Sequence, residues 1–279
     1  MHLTPVVWSP DMENATLARV EMDEQALIDP LHYAIASRDA DVMTLVSDAL
    51  TAGRARLAFH PIVTADAQPR ITFYEGLVRL MDDAGRIIPA AHFMPLVDET
   101  GIGRQIDCAT LDLALRFLRQ NPHVRLSVNV SARSIGDGAW RRILDNGLWH
   151  QNDLGDRLIF EISETSAMML HENVIRFMAE MQPKGVCFAL DGFGAGMTAF
   201  RYLKDFFFDL VKIDKSFIRG IESDPDNQVL AEALITVAHQ FEMVASADGV
   251  ETEAEARFLR QIGVDCLQGY LYGVPKFEL

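Results

Sequence analysis

The sequence predicts an α/β protein built on a mainly parallel sheet with its helices packed outside it. Three observations lead there. Short runs rich in Val, Ile, Leu and Phe recur along the chain, and amphipathic stretches at helical spacing separate most of them. A polar residue then stands near the end of nearly every later run. Strands alternating with helices over about 240 residues bring parallel neighbours together through outer crossovers. Eight such runs can close into a barrel or lie as an open doubly wound sheet, and the count does not choose between the two.

Taken in order, residues 1–36 mix scattered apolar residues with Asp11, Glu13, Glu21, Asp23, Glu24 and the prolines Pro5, Pro10 and Pro30. They read as an N-terminal extension, with one helix expected over 15–27, ahead of a main domain over 37–279. Within 39–52, Val42, Leu45, Val46 and Leu50 fall on one helical face. The eight strand runs are 57–63, 71–79, 124–130, 158–162, 186–190, 210–213, 243–247 and 266–270. Helices are expected over 105–120, 166–182, 226–241 and 252–262.

Composition narrows the function. With 279 residues, 49 % hydrophobic and 23 % charged, the chain can bury a core without covalent staples. The formal charge of −15 opposes a nucleic acid polymer, whose phosphates demand a basic footprint. A small phosphate ligand stays open, because a metal or a few local cations can reverse the field inside a cleft. Cys108, Cys187 and Cys266 lie far apart in apolar stretches, which fits buried free thiols rather than a disulfide framework or a zinc site. The first residues lack a basic and apolar leader, and no apolar run reaches a membrane-spanning length of about 18 residues. A cytoplasmic protein without a membrane span is expected.

The polar residues at the run ends carry the chemistry. They are Glu75 and Arg79 in the second run, Asn129 in the third, Glu161 in the fourth, Asp191 after the fifth, Lys212 and Asp214 closing the sixth, Asp248 after the seventh and Gln268 in the eighth. Singly, each could be a cap or a hydrogen-bonded strand terminus; Asp191 also opens a Gly-rich turn, where Asp is common. Jointly they exceed what capping needs. In a closed barrel such ends converge on one face, where barrel enzymes keep their catalytic residues. Glu75, Glu161, Asp191 and Asn129 brought together would call for a hard, oxygen-seeking divalent metal, Mg²⁺ or Mn²⁺, rather than zinc.

These residues resemble the EAL domains, bacterial phosphodiesterases and receptors for cyclic di-GMP, from about Ala55 to Pro275. The motifs are Glu75-Gly76-Leu77 followed by Arg79, Asn129-Val130-Ser131, Glu161 with Glu164-Thr165, Asp191-Gly192-Phe193-Gly194, Lys212-Ile213-Asp214, Asp248-Gly249-Val250-Glu251-Thr252 and Gln268-Gly269-Tyr270. The resemblance implies a modified (β/α)₈ barrel whose first strand runs antiparallel to its neighbours. It implies Glu75, Asn129, Glu161 and Asp191 as ligands of a first metal; Asp214 is a candidate substitute ligand if the chain is a working phosphodiesterase. Lys212 would contact the attacking water or the scissile phosphate, and Gln268 the metal–water network. Arg79 and Leu77 would meet a phosphate and a guanine, and Glu164 would steady the loop after the fifth run. The implied reaction hydrolyses one phosphodiester of cyclic di-GMP to give pGpG, with two metals activating water and stabilising developing charge. The resemblance also implies a homodimer.

The departures fall on that chemistry. Gly192 stands where the family's second metal expects a carboxylate, so one metal site is expected and the second is doubtful. Asp248 replaces the family's glutamate and withdraws its carboxylate by about 1.5 Å. A shift of about 1 Å in a catalytic group can cost on the order of 10²-fold in rate. His60 takes the place of a ligand-contacting glutamine, Gly76 that of an alanine, and Met197-Thr198 that of Tyr-Ser. The expected function is therefore a degenerate EAL domain that binds or regulates with weak or absent hydrolysis. The alternatives are a metal-dependent cyclic di-GMP phosphodiesterase, and a module that binds a protein partner without nucleotide.

Overall fold

The computed structural model describes residues 30–97, 100–149, 153–196 and 200–279. The helix expected over 15–27 lies outside them. Helix α1 (Pro30–Thr51) leads into strand β1 (Ala55–Thr64), which turns back as β2 (Ile71–Met81) and a two-residue β3 (Ile87–Ile88). Helices α2 (Ala90–Val97) and α3 (Gly101–Gln120) then cross to β4 (Leu126–Asn129), and α4 (Gly138–Trp149) to β5 (Leu158–Ser163). Next come α5 (Glu164–Met169), α6 (His171–Met181), β6 (Cys187–Phe193) and β7 (Leu210–Ile213). The chain finishes with α7 (Pro225–Gln240), β8 (Val244–Ala247), α8 (Glu253–Gln261) and β9 (Cys266–Gln268).

The strand order β1-β9-β8-β7-β6-β5-β4-β2, completed by the pairing of β1 with β2, closes the sheet into an eight-stranded barrel. Closure decides against the open sheet. β1 runs antiparallel to both β2 and β9, and the other barrel pairings are parallel. β3 is an added edge on β2, outside the ring.

All eight predicted runs are strands. The helical periodicity predicts less well. The stretch expected as one helix over 166–182 breaks at Leu170, whose backbone (φ −120°, ψ 40°) leaves the helical region. Helices α2 and α4 were not expected, since Pro95 interrupts one and Gly138 and Gly147 dilute the apolar pattern of the other. Elsewhere local chemistry sets the ends. Thr100 caps α3 by accepting from the Ile102 N–H, and Asp224 caps α7 ahead of Pro225. Thr252 and Glu255 form a capping box on α8.

Between barrel and helices lies the main core, where Trp140, Phe160, Phe177 and Phe188 pack with ring centroids 5.4–6.1 Å apart. A second cluster of Val46, Leu80, Ile88, Phe93, Val97 and Ile106 seats α1 and α2 over the end of β2. Inside the barrel, Ile62, Phe73, Ile159, Ala189, Leu210 and Cys266 form a separate apolar plug. Side chains alternate across a strand with period two. The next inward residue toward the parallel strands' C-terminal ends is therefore Glu75 above Phe73, Glu161 above Ile159, Asp191 above Ala189, Lys212 above Leu210 and Gln268 above Cys266. On antiparallel β1 the same step leads back from Ile62 to His60. One apolar layer thus carries one polar layer, at the face where barrel chemistry belongs.

Candidate active site at the barrel mouth

The polar layer is a single hydrogen-bonded network. Lys212 Nζ, almost fully buried, lies 2.8 Å from Glu161 Oε2, 3.0 Å from Glu75 Oε2 and 3.9 Å from Asp191 Oδ1. Asn129 Nδ2 donates to Glu75 Oε1 at 2.9 Å, and Gln268 Nε2 donates to Glu75 Oε2 at 2.6 Å. The same Gln268 nitrogen meets His60 Nδ1 at 3.0 Å, and Ser127 Oγ donates to Glu161 Oε1. These contacts join residues as far apart as 208 positions in the chain.

The register explains the convergence. His60 faces Glu75 across β1 and β2, Asn129 pairs with Glu161, and Asp191 pairs with Lys212. Above the network opens a cleft of about 300 Å³, lined among others by Leu77, Arg79, Asp191, Asp248 and Tyr270. Met197 and Thr198 lie outside the described residues, and of the candidate site residues within them two stand apart from this cluster. Asp214 does not line the cleft, and its Oδ1 accepts the Ser216 N–H at 2.8 Å in the turn after β7. Glu164 lies buried at the start of α5, where its Oε2 accepts the Gly194 N–H at 3.0 Å. A side chain at Gly196 would come within 2.7 Å of the same carboxylate. Glu164 thereby touches the loop after β6, the fifth run of the sequence.

Electrostatics at the mouth are lopsided, with one buried ammonium against Glu75, Glu161, Asp191 and, at the rim, Asp248. Burial works against charge on Glu75, yet Lys212 and the Gln268 and Asn129 amides hold its pKa well below the usual carboxylate range. Glu161 goes the other way, pushed up by burial and then by the charge of Glu75. Asp191 is raised by burial, with Lys212 only partly compensating. Burial also opposes the charge on Lys212, but Glu161, Glu75, Asp191 and Asp248 keep its pKa well above that of an ordinary lysine. His60 is lowered by burial against the pull of Glu75 and Asp248. One cation does not neutralise this acidic set.

The donor chemistry suits a hard divalent ion: three carboxylates, the Asn129 carbonyl, and a buried Gln268 Oε1 without a hydrogen-bond partner among the described residues. As they stand, those groups are not a ready cage. Among the described residues no group of three or more His, Cys, Asp or Glu side chains is arranged to hold a metal, and Lys212 already bonds Glu75 and Glu161, the Asn129 and Gln268 amides Glu75, and the Ser127 hydroxyl Glu161. Glu75, Asn129, Glu161 and Asp191 carry the oxygens that an ion entering this layer could meet.

Beside Asp191 the backbone bulges. Pairing between β6 and β7 shifts register across Asp191 and Phe193, and Gly192 sits in the bulge with φ +73° and open space where a Cβ would stand. The sequence alone does not single out Ser127, Lys215 or Arg219, and it gives Glu251 no role beyond its motif. Ser127 was findable, standing two positions before Asn129 and so on the same face of β4. The other three line the cleft from turns, where period two gives no signal.

A closed barrel with an acidic, lysine-centred layer at its C-terminal mouth defines a TIM-type barrel protein with its candidate site on the face where such barrels keep their chemistry. Residues 44–275 match the model of the EAL domain, and the chain belongs to that family. Among curated relatives, it is 30 % identical over 224 residues to the bifunctional diguanylate cyclase/cyclic di-GMP phosphodiesterase MucR of Pseudomonas aeruginosa, covering 78 % of this chain and 33 % of that one. The cyclic di-GMP phosphodiesterase PdeL of Escherichia coli is 30 % identical over 215 residues, covering 74 % of this chain and 58 % of the relative. Against the first-ranked relatives the chain spans about a third of their length. Among solved structures, the PaMucR phosphodiesterase in its c-di-GMP complex aligns with TM-score 0.77 at 27 % identity, covering 85 % of this chain and 97 % of that one. The c-di-GMP-bound FimX EAL domain from Pseudomonas aeruginosa gives 0.77 at 25 % identity with the same coverage. No helix of the described residues is long and apolar enough to cross a membrane.

Proposed function

We propose that this chain acts in cyclic di-GMP signalling as a binding domain, with hydrolysis weak or absent. One observation carries the reading. The donor set Glu75, Asn129, Glu161 and Asp191 is complete around Lys212, while the adjoining position, Gly192, offers no carboxylate. One Mg²⁺ or Mn²⁺ ion would be held by those four residues, and in such a site it supplies Lewis-acid polarisation of a phosphoryl oxygen.

The chain's own groups do the rest. Lys212 meets the phosphate or its attacking water, and Gln268 fixes Glu75 in place. Arg79, Leu77 and His60, all on the cleft wall, bind the ligand. Without a second carboxylate beside Asp191, and with Asp248 one methylene short, activation of water is the step that fails. The alternative is a working phosphodiesterase, and the intact first donor set together with the names of the relatives favours it.

The test is calorimetry with cyclic di-GMP beside a chromatographic assay for pGpG in Mg²⁺ and Mn²⁺. Binding without product is expected, and Gly192→Asp with Asp248→Glu should then restore hydrolysis. Steady pGpG formation by the native chain, abolished in Glu75→Ala, would establish the phosphodiesterase instead.

A further inference from the structure

The floor of the cleft is acidic, but its rim carries cations. Arg79 stands at the end of β2, while Lys215 and Arg219 follow β7 in one turn and line the same cleft. Both of the latter are exposed, yet both are held. Gly249, in the turn after β8, has φ +81°, and a Cβ there would lie 2.6 Å from Lys215 Cβ. The lysine stem therefore rests on a spot that only glycine leaves open. Arg219 Nη2 lies 2.7 Å from Glu251 Oε1, two residues further along that turn. Two turns from neighbouring strands are thus fastened at two points just after Asp248, and the two cations they carry line the same cleft as Arg79.

A cyclic dinucleotide carries two phosphodiesters. Lys212, with an ion held among the floor carboxylates, would serve one of them, which leaves the other to be neutralised at the rim. We infer that Lys215 and Arg219 form a second phosphate clamp, with Gly249 and Glu251 as its positioning residues. The inference rests on the cyclic di-GMP reading above and adds to it the residues that take the distal phosphate. An Arg fork and a Lys point charge lining one cleft suit the two non-bridging oxygens of a phosphodiester.

The experiment compares three full-length chains by calorimetry with cyclic di-GMP and Mg²⁺ at low and high salt: native, Lys215→Ala/Arg219→Ala, and a control, Arg116→Ala/Arg176→Ala. The control removes the same charge from exposed faces of α3 and α6. The clamp variant should bind at least about tenfold more weakly at low salt, with the gap narrowing at high salt as screening grows. The control should change less than about twofold, and thermal melts of both should match the native chain. Equal weakening in both variants, or none in the clamp variant, would overturn the clamp while leaving the cyclic di-GMP reading intact. Failure of the native chain to bind cyclic di-GMP at all would remove both.

Discussion

Replacing Lys212 with Met takes the only ammonium out of a layer where three carboxylates lie within 4 Å of it. The side chains of Lys212, Glu75 and Glu161 are at most 10 % exposed, so water cannot step in as solvent for the charges left behind. Removing one partner of such a buried pair costs about 3–5 kcal/mol. A chain of this size loses roughly 2–4 °C per kcal/mol, which puts the fall in Tm at about 6–20 °C. Methionine keeps the stem's volume, so cavity formation adds little. Two further readouts separate charge from packing. Mn²⁺ or Mg²⁺ added to the variant should recover much of the lost Tm, since a cation then stands again among the same oxygens. Mild acid should narrow its gap to the native chain, because protonation relieves the unpaired carboxylates. Differential scanning fluorimetry with and without metal measures all three. A Tm within about 2 °C of native, unmoved by metal or pH, would refute the idea that Lys212 is the internal counter-ion of this site.

Three other outcomes follow from the same geometry. Gly192→Asp meets no atom within 4 Å but must hold φ +73°, a conformation Asp tolerates better than most residues, so it should fold with a loss of about 1 kcal/mol, read by chemical denaturation. Gly269→Ala is different. At φ +154° its Cβ would lie 2.1 Å from the Val250 carbonyl oxygen, and strain and overlap together should cost about 2–6 kcal/mol or prevent soluble expression. Glu255 accepts the N–H groups of Gly220, Glu251 and Thr252 at 2.7–2.8 Å, which hold its pKa below the ordinary value although burial opposes the charge. A carboxylate lowered on folding stabilises above its unfolded pKa, and that support is lost as pH falls through the folded value. Glu255→Gln should therefore lose about 1 kcal/mol at pH 7, with the difference from native shrinking in urea titrations below pH 4.

Much of this site was legible from the chain because its logic is local. Period-two alternation places Phe73 with Glu75, Ile159 with Glu161 and Leu210 with Lys212 on one face of each strand, whatever the strands then do. A carboxylate or lysine beside an apolar plug residue has few reasons to be there except chemistry. The same reasoning overlooked Ser127, because a serine on a strand passes for an ordinary small residue. Asp214 differs from its motif neighbour: Lys212 points inward, while Asp214 lies past the strand end, where its carboxylate accepts the Ser216 N–H.

Ring closure, the partners of Lys212 and the bulge at Gly192 belong to the tertiary structure. His60 and Gln268 meet across 208 positions only because antiparallel β1 pairs with both β2 and β9, a choice set by the whole sheet rather than by any window of sequence. Lys215 and Arg219 sit on a turn, where no periodicity announces direction, and their placement depends on a glycine and a glutamate from the next turn. Sequence by itself determined which side chains each strand offers inward, since that follows from the geometry of a single extended chain. Which of them touch, and what charge each then bears, was decided by folding, because Coulomb and desolvation energies depend on distances between residues remote in the chain.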